Sequence, residues 1–122
     1  MENRKRILVV DDDADICQTL KDLLELSDYE VTTASSGFIA LDVARETHFD
    51  VVLMDIIMPR MNGVETLRSF KKMSPETPVI MATAFAVDEM LNEALDAGAV
   101  ATLRKPFDCD ALCRTIENSL AH

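Results

Sequence analysis

The chain has 122 residues, 48% of them hydrophobic, and a formal net charge of −10 at pH 7. A chain of this length fits a single domain, residues 1–122, able to bury one core without disulfide or metal staples. The acidic excess argues against direct binding to nucleic acid or to an anionic membrane, since both present negative charge.

At the amino end Arg4-Lys5-Arg6 precedes only the apolar Ile7 to Val10, too short a run for a secretory core, and no apolar stretch approaches a membrane span. A cytoplasmic protein is expected. Arg6-Ile7-Leu8-Val9-Val10 reads as a first strand running into Asp11-Asp12-Asp13. Asp12 or Asp13 caps a helix over about 14–27 that carries Leu20, Leu23 and Leu24, with Ile16 or Cys17 extending the stripe. Tyr29 to Ala34 reads as a second strand, and Ser36-Gly37 opens a second helix whose Ile39, Ala40, Val43 and Ala44 face inward. Val51-Val52-Leu53-Met54 is a buried third strand that ends on Asp55, before a Met58-Pro59 break. Asn62-Gly63 starts a third helix with Val64, Leu67 and Phe70 apolar. The segment Pro75 to Pro78 breaks it ahead of a fourth strand, Val79 to Ala82, that ends at Thr83. A fourth helix, about 87–97, stops at Gly98. A fifth strand, roughly 100–104, ends at Lys105-Pro106, and a last helix begins at Asp108 with Leu112, Ile116 and Leu120 on one face. Cys17, Cys109 and Cys113 have no disulfide-like spacing and suit a reducing compartment. Cys109 and Cys113 share a helix, but small apolar core residues are the better reading than zinc ligands.

Strands alternating with helices predict a parallel α/β sheet covered on both faces. Parallel strands send all their carboxyl ends to one edge, where open α/β sheets bind ligands. Asp11 and Asp12, Asp55, Thr83 and Lys105 end strands one, three, four and five, so residues remote in sequence meet in one pocket. Three carboxylates a few ångströms apart repel by about 4 kcal/mol per pair at 4 Å with an effective dielectric near 20. Lys105 offsets part of that, and a divalent ion offsets the rest; an all-oxygen, carboxylate-rich site suits Mg²⁺. Metal, ammonium and hydroxyl converging on one acid point to a phosphoryl group as the guest, with Asp55 as the nucleophile.

Asp11-Asp12 after the first strand, Asp55 with Met58-Pro59 and Gly63, Thr83-Ala84, and Lys105-Pro106-Phe107 stand in one order and spacing. With them the whole chain resembles the receiver domain of two-component response regulators, the stand-alone CheY-like kind included. The resemblance implies a flavodoxin-like, doubly wound five-stranded sheet in the order 2-1-3-4-5 with five helices. It implies that a histidine kinase or histidine phosphotransfer protein phosphorylates Asp55, and that Thr83 and Lys105 each contact a phosphoryl oxygen. It implies Mg²⁺ held by Asp12, Asp55 and the backbone carbonyl of Ile57, with Asp11 acting mainly through metal-bound water. The Lys105-Pro106 bond would be cis.

Two features depart from the family pattern. Receivers of this type usually carry Tyr or Phe three residues before the lysine, where this chain has Thr102, so ring rotation is not its switch. No effector domain follows the last helix, which fits a stand-alone receiver or a fragment of a longer regulator. A relay or protein-binding role is expected, with a helical partner docking near Ala14, Thr19 and Phe107 and a downstream protein effector as a further partner. The competing enzyme reading is a small haloacid-dehalogenase-like phosphatase or phosphotransferase with Asp11-x-Asp13 as its motif and Asp11 as nucleophile. That motif needs a threonine where Asp15 stands, and the chain is short for it. A dinucleotide or FMN module would need glycines where acids follow the first strand, and Gly37, Gly63 and Gly98 are far apart. A degenerate, unphosphorylated receiver is disfavoured by the intact acids, threonine and lysine.

Overall fold

The computed structural model describes residues 4–58, 62–84, 88–105 and 108–120. Elements alternate: β1 (Arg6–Val10), α1 (Ala14–Leu26), β2 (Glu30–Ala34), α2 (Gly37–Glu46), β3 (Val51–Asp55), α3 (Gly63–Met73), β4 (Val79–Thr83), α4 (Asp88–Asp96), β5 (Ala101–Arg104) and α5 (Cys109–Leu120). All strands are parallel, in the order β2-β1-β3-β4-β5, as the strand-helix alternation and the family resemblance imply. No described helix is long and apolar enough to cross a membrane.

The central strands β1, β3 and β4 are apolar except at one end residue each, Arg6, Asp55 and Thr83, because both of their faces are covered. Side chains alternate across the sheet and divide the core in two. Leu8, Val10, Val52, Met54, Val79 and Met81 pack with residues of α2, α3 and α4. Ile7, Val9, Val51, Leu53, Ile80 and Ala82 pack with residues of α1 and α5. The α1 stripe forms as the spacing predicts, with Cys17, Leu20 and Leu24 buried and Ile16 and Leu23 against them. Val64, Leu67 and Phe70 of α3, and Leu112 and Ile116 of α5, are likewise buried.

The face of α2 differs from the expectation at one position. Ile39 is 44% exposed, whereas Ala40 and Leu41 are buried. The cause is close helix packing: a Cβ on Gly37 would collide with the side chain of Thr66 on α3. That contact turns Gly37, Ala40, Leu41 and Ala44 inward at helical spacing and leaves Ile39 outside. The end of α1 also falls a residue earlier than about 27. Ser27 caps it by donating to the carbonyls of Glu25 and Leu24, and Asp28 takes a left-handed conformation, φ 70°, that stops the helix without a glycine.

Candidate functional site

Strand parity and register assemble the site. Val10 of β1 pairs with Met54 of β3, so one further step brings Asp11 level with Asp55. By strand parity Asp11 continues the face of Val9 and Asp55 that of Leu53, toward α1 and α5, as Lys105 does after Ala101 and Leu103. Pairing of Asp55 with Ala82, and of Ala82 with Leu103, places Lys105 two residues beyond that level. Only a long side chain reaches back from there. Its ammonium meets Asp11 Oδ2 at 2.6 Å and Asp55 Oδ2 at 3.5 Å.

Asp11 is almost entirely buried, with its side chain 5% exposed. The amide of Asp13 donates to Asp11 Oδ1 at 2.9 Å, so both oxygens are engaged. The Cys17 thiol donates to the Asp11 carbonyl at 3.3 Å. Burial, then the neighbouring Asp11 charge, holds that thiol above its ordinary pKa, so it stays a protonated donor rather than a nucleophile. Asp13, not Asp12, caps α1, accepting from the amides of Asp15 and Ile16. This leaves Asp12 exposed at the mouth of the site.

Asp55 Oδ1 accepts the Ile57 amide at 3.3 Å, and its Oδ2 faces Lys105. Burial raises the Asp55 pKa above the usual carboxylate value, Lys105 works against the rise, and Asp11 adds to it. Burial by itself would lower the Lys105 pKa. The hydrogen bond to Asp11 and the charges of Asp55 and Asp11 outweigh that effect and leave it raised, so the ammonium is firmly charged. Thr83 closes β4, buried at 1% exposure, and its carbonyl accepts the Lys105 amide at 2.7 Å. Pro59, Pro106 and Phe107, and with them the expected cis bond, lie outside the described residues.

Carboxylate oxygens of Asp11, Asp12 and Asp55 all lie within 4.8 Å of one another. At that separation two unit charges repel by about 3.5 kcal/mol with an effective dielectric near 20. One lysine offsets one charge of three. The donors are hard oxygens, so the set fits a small divalent cation and offers nothing to a thiophilic metal.

The sequence signals missed one partner of this site: Cys17 was legible only as part of a helix stripe. Gly63 was legible as a turn signal and as part of the motif around Asp55, but its close packing was not. Gly63 N donates to Ile56 O at 2.6 Å, and a Cβ there would meet the Asp55 carbonyl and lie 2.7 Å from Ile56 Cα and 2.8 Å from Met81 Cε. The start of α3 thus rests against the backbone that carries Asp55. Gly63→Ala is expected to cost about 2–3 kcal/mol by overpacking. A urea-unfolding midpoint equal to that of wild type would show that α3 can retreat without strain.

The family model of the response regulator receiver domain matches residues 7–117. The transcriptional regulatory protein ZraR of Salmonella typhimurium is 47% identical over 116 residues, which cover 95% of this chain and 26% of that protein. The chain thus spans about a quarter of that relative's length. The chemotaxis protein CheY of Thermotoga maritima is 38% identical over 84% of this chain and 87% of its own. The CheY-like receiver domain protein of Methanospirillum hungatei superposes with a TM-score of 0.94 at 36% identity, covering 98% of this chain and 95% of that one. These likenesses give no support to a phosphatase built on Asp11, whose two oxygens are in any case already held by Lys105 and Asp13. Matched along nearly its whole length in sequence, fold and strand order, the chain belongs to the response regulator receiver domain family of two-component signalling.

Proposed function

We propose that Asp55 is the phosphoacceptor and that the 122 residues act as one cytoplasmic receiver unit. The observation that supports this most is the convergence of Lys105, Asp11 and Asp12 on a partly buried Asp55 at the carboxyl edge of the sheet. An Asp55 oxygen attacks phosphorus, the bond from phosphorus to the donor breaks, and the donor leaves as a neutral imidazole or a carboxylate. A histidine kinase or a histidine phosphotransfer protein supplies the phosphohistidine. Water later cleaves the acyl phosphate and restores the carboxylate. Lys105 and Thr83 bind phosphoryl oxygens. Mg²⁺ suits the carboxylate cluster: Asp12, Asp55 and the Ile57 carbonyl would hold it, with Asp11 engaged through water. Its contribution is to neutralise charge developing on the phosphoryl oxygens.

An apolar groove of about 680 Å³ runs between α1 and α5 and ends at the site, lined by Ile16, Thr19, Leu20, Leu23, Leu112 and Lys105. Its shape and polarity suit the apolar face of a partner helix. Thr19 lines it, Ala14 is exposed beside it, and Phe107 lies outside the described residues. A partner docked there presents its histidine to Asp55. The chain catalyses its own phosphorylation and dephosphorylation but turns over no separate substrate. It serves as a relay or as a switch for a downstream protein, without direct contact to nucleic acid or membrane.

With Mg²⁺ and a small acyl phosphate, the protein is expected to gain one phosphoryl group that is stable to acid and labile to hydroxylamine. Phosphomonoesters are not hydrolysed with turnover. Intact-mass analysis and a phosphate-release assay check both points, and steady release from an ester, lost in Asp11→Asn, would overturn the reading.

A further inference from the structure

Parallel pairing sets Arg104 of β5 directly beside Thr83 of β4. Strand parity turns both away from α1 and α5, since Ala82 and Leu103 face that layer, and toward the layer that contains α4. Arg104 reaches out of the strand and its guanidinium donates to Asp88 Oδ1 at 2.7 Å. Asp88 is the first residue of α4, where a carboxylate also sits well against the positive end of the helix. The ion pair therefore joins the start of α4 to the strand position adjoining Thr83. The side chains are 57% and 81% exposed, so the pair adds little to stability and is screened by salt. A contact this weak does not hold the fold together; its energy is on the scale that tips a choice between two close arrangements of a helix end.

Ala84 and only three further residues, 85–87, separate Thr83 from Asp88 in the chain. Drawing Thr83 toward a phosphoryl group on Asp55 therefore shifts the start of α4 relative to β5. Thr102, on the same face of β5 as Arg104, offers no ring to record that movement. We propose that the Arg104–Asp88 ion pair is a latch that keeps the start of α4 against β5 in the unphosphorylated chain and opens when Thr83 moves. This rests on the receiver reading above.

Amide spectra of α4 and labelling of Asp55 by a small acyl phosphate test the latch in Arg104→Gln, Asp88→Asn and Arg104→Lys. Both charge-removing variants are expected to move the α4 signals of the unphosphorylated protein partway toward those that wild type shows with beryllium fluoride. They should also be labelled about threefold faster, a shift on the scale an exposed ion pair supplies. Arg104→Lys should match wild type. In about 1 M KCl, where screening acts over about 3 Å, wild-type α4 signals should approach those of Arg104→Gln. If every variant is labelled but the α4 signals and rates of Arg104→Gln coincide with wild type, the latch is overturned and the receiver reading stands. If wild type itself takes no phosphoryl group, the receiver reading falls and takes the latch with it.

Discussion

Asp55→Asn should take up no phosphoryl group under conditions that load wild type fully, and in chelator it should melt a few degrees higher. The first effect follows from chemistry, because an amide oxygen is too weak a nucleophile to replace a carboxylate. The second follows from burial. Asp55 is 12% exposed, and its surroundings favour the neutral form, burial first and Asp11 next, despite Lys105. A carboxyl that binds its proton more tightly folded than unfolded loses stability as pH rises from the unfolded pKa through the raised folded one. Above that window the penalty is constant, so an uncharged, nearly isosteric asparagine removes it in full at neutral pH. The advantage fades as pH falls through the raised folded value and is gone below the ordinary carboxylate value of 3.8. A gain of about 1 kcal/mol would raise the melting temperature by roughly 3–5 °C for a chain of this size. Labelling of the variant equal to wild type would move the phosphoacceptor elsewhere. A lower melting temperature would mean that the Lys105 contact outweighs the cost of burying Asp55.

The strands and their terminal residues were legible because each is a local signal. A short run such as Val51 to Met54, rich in β-branched residues and closed by turn signals, reads as a covered strand, and in a parallel sheet its last residue has one edge to occupy. The face of α2 was not legible, because Phe38-Ile39-Ala40-Leu41 is apolar without a gap and its orientation depends on Thr66, remote in sequence. Likewise nothing local distinguishes Asp11 from Asp12. Their roles diverge only once Lys105 reaches back from β5 to one of them and Asp13 folds its amide onto the same carboxylate. Arg104 is the opposite case. A charge where a covered strand would have an apolar residue was visible, but its partner Asp88 lies across a connection that sequence spacing does not fix.

The division of labour between Asp11 and Asp12 leads to the second large effect, in Lys105→Met. Methionine keeps the apolar stem and deletes the charge, leaving Asp11, 5% exposed, without its cation. Removing one partner of a buried pair costs about 3–5 kcal/mol, a large share of the roughly 5–15 kcal/mol that holds a domain folded. In chelator the variant should therefore unfold at much lower urea than wild type. Mg²⁺ at a hundredfold excess over its Kd adds about 2.7 kcal/mol to any fold that binds it, and here it also supplies the positive charge the lysine no longer provides. The gain from Mg²⁺ should thus be larger in Lys105→Met than in wild type, and Asp12→Ala should abolish it in both backgrounds because Asp12 is the exposed acid of the three-carboxylate cluster. Phosphoryl uptake by Lys105→Met should stay slow even when Mg²⁺ restores its stability, since the ion replaces the charge beside Asp11 but not the ammonium on the phosphoryl oxygen. Urea unfolding with and without Mg²⁺ separates these effects: equal midpoints for Lys105→Met and wild type in chelator would show that Asp11 does not depend on the lysine. A Mg²⁺ gain that survives Asp12→Ala would place the ion away from the three acids.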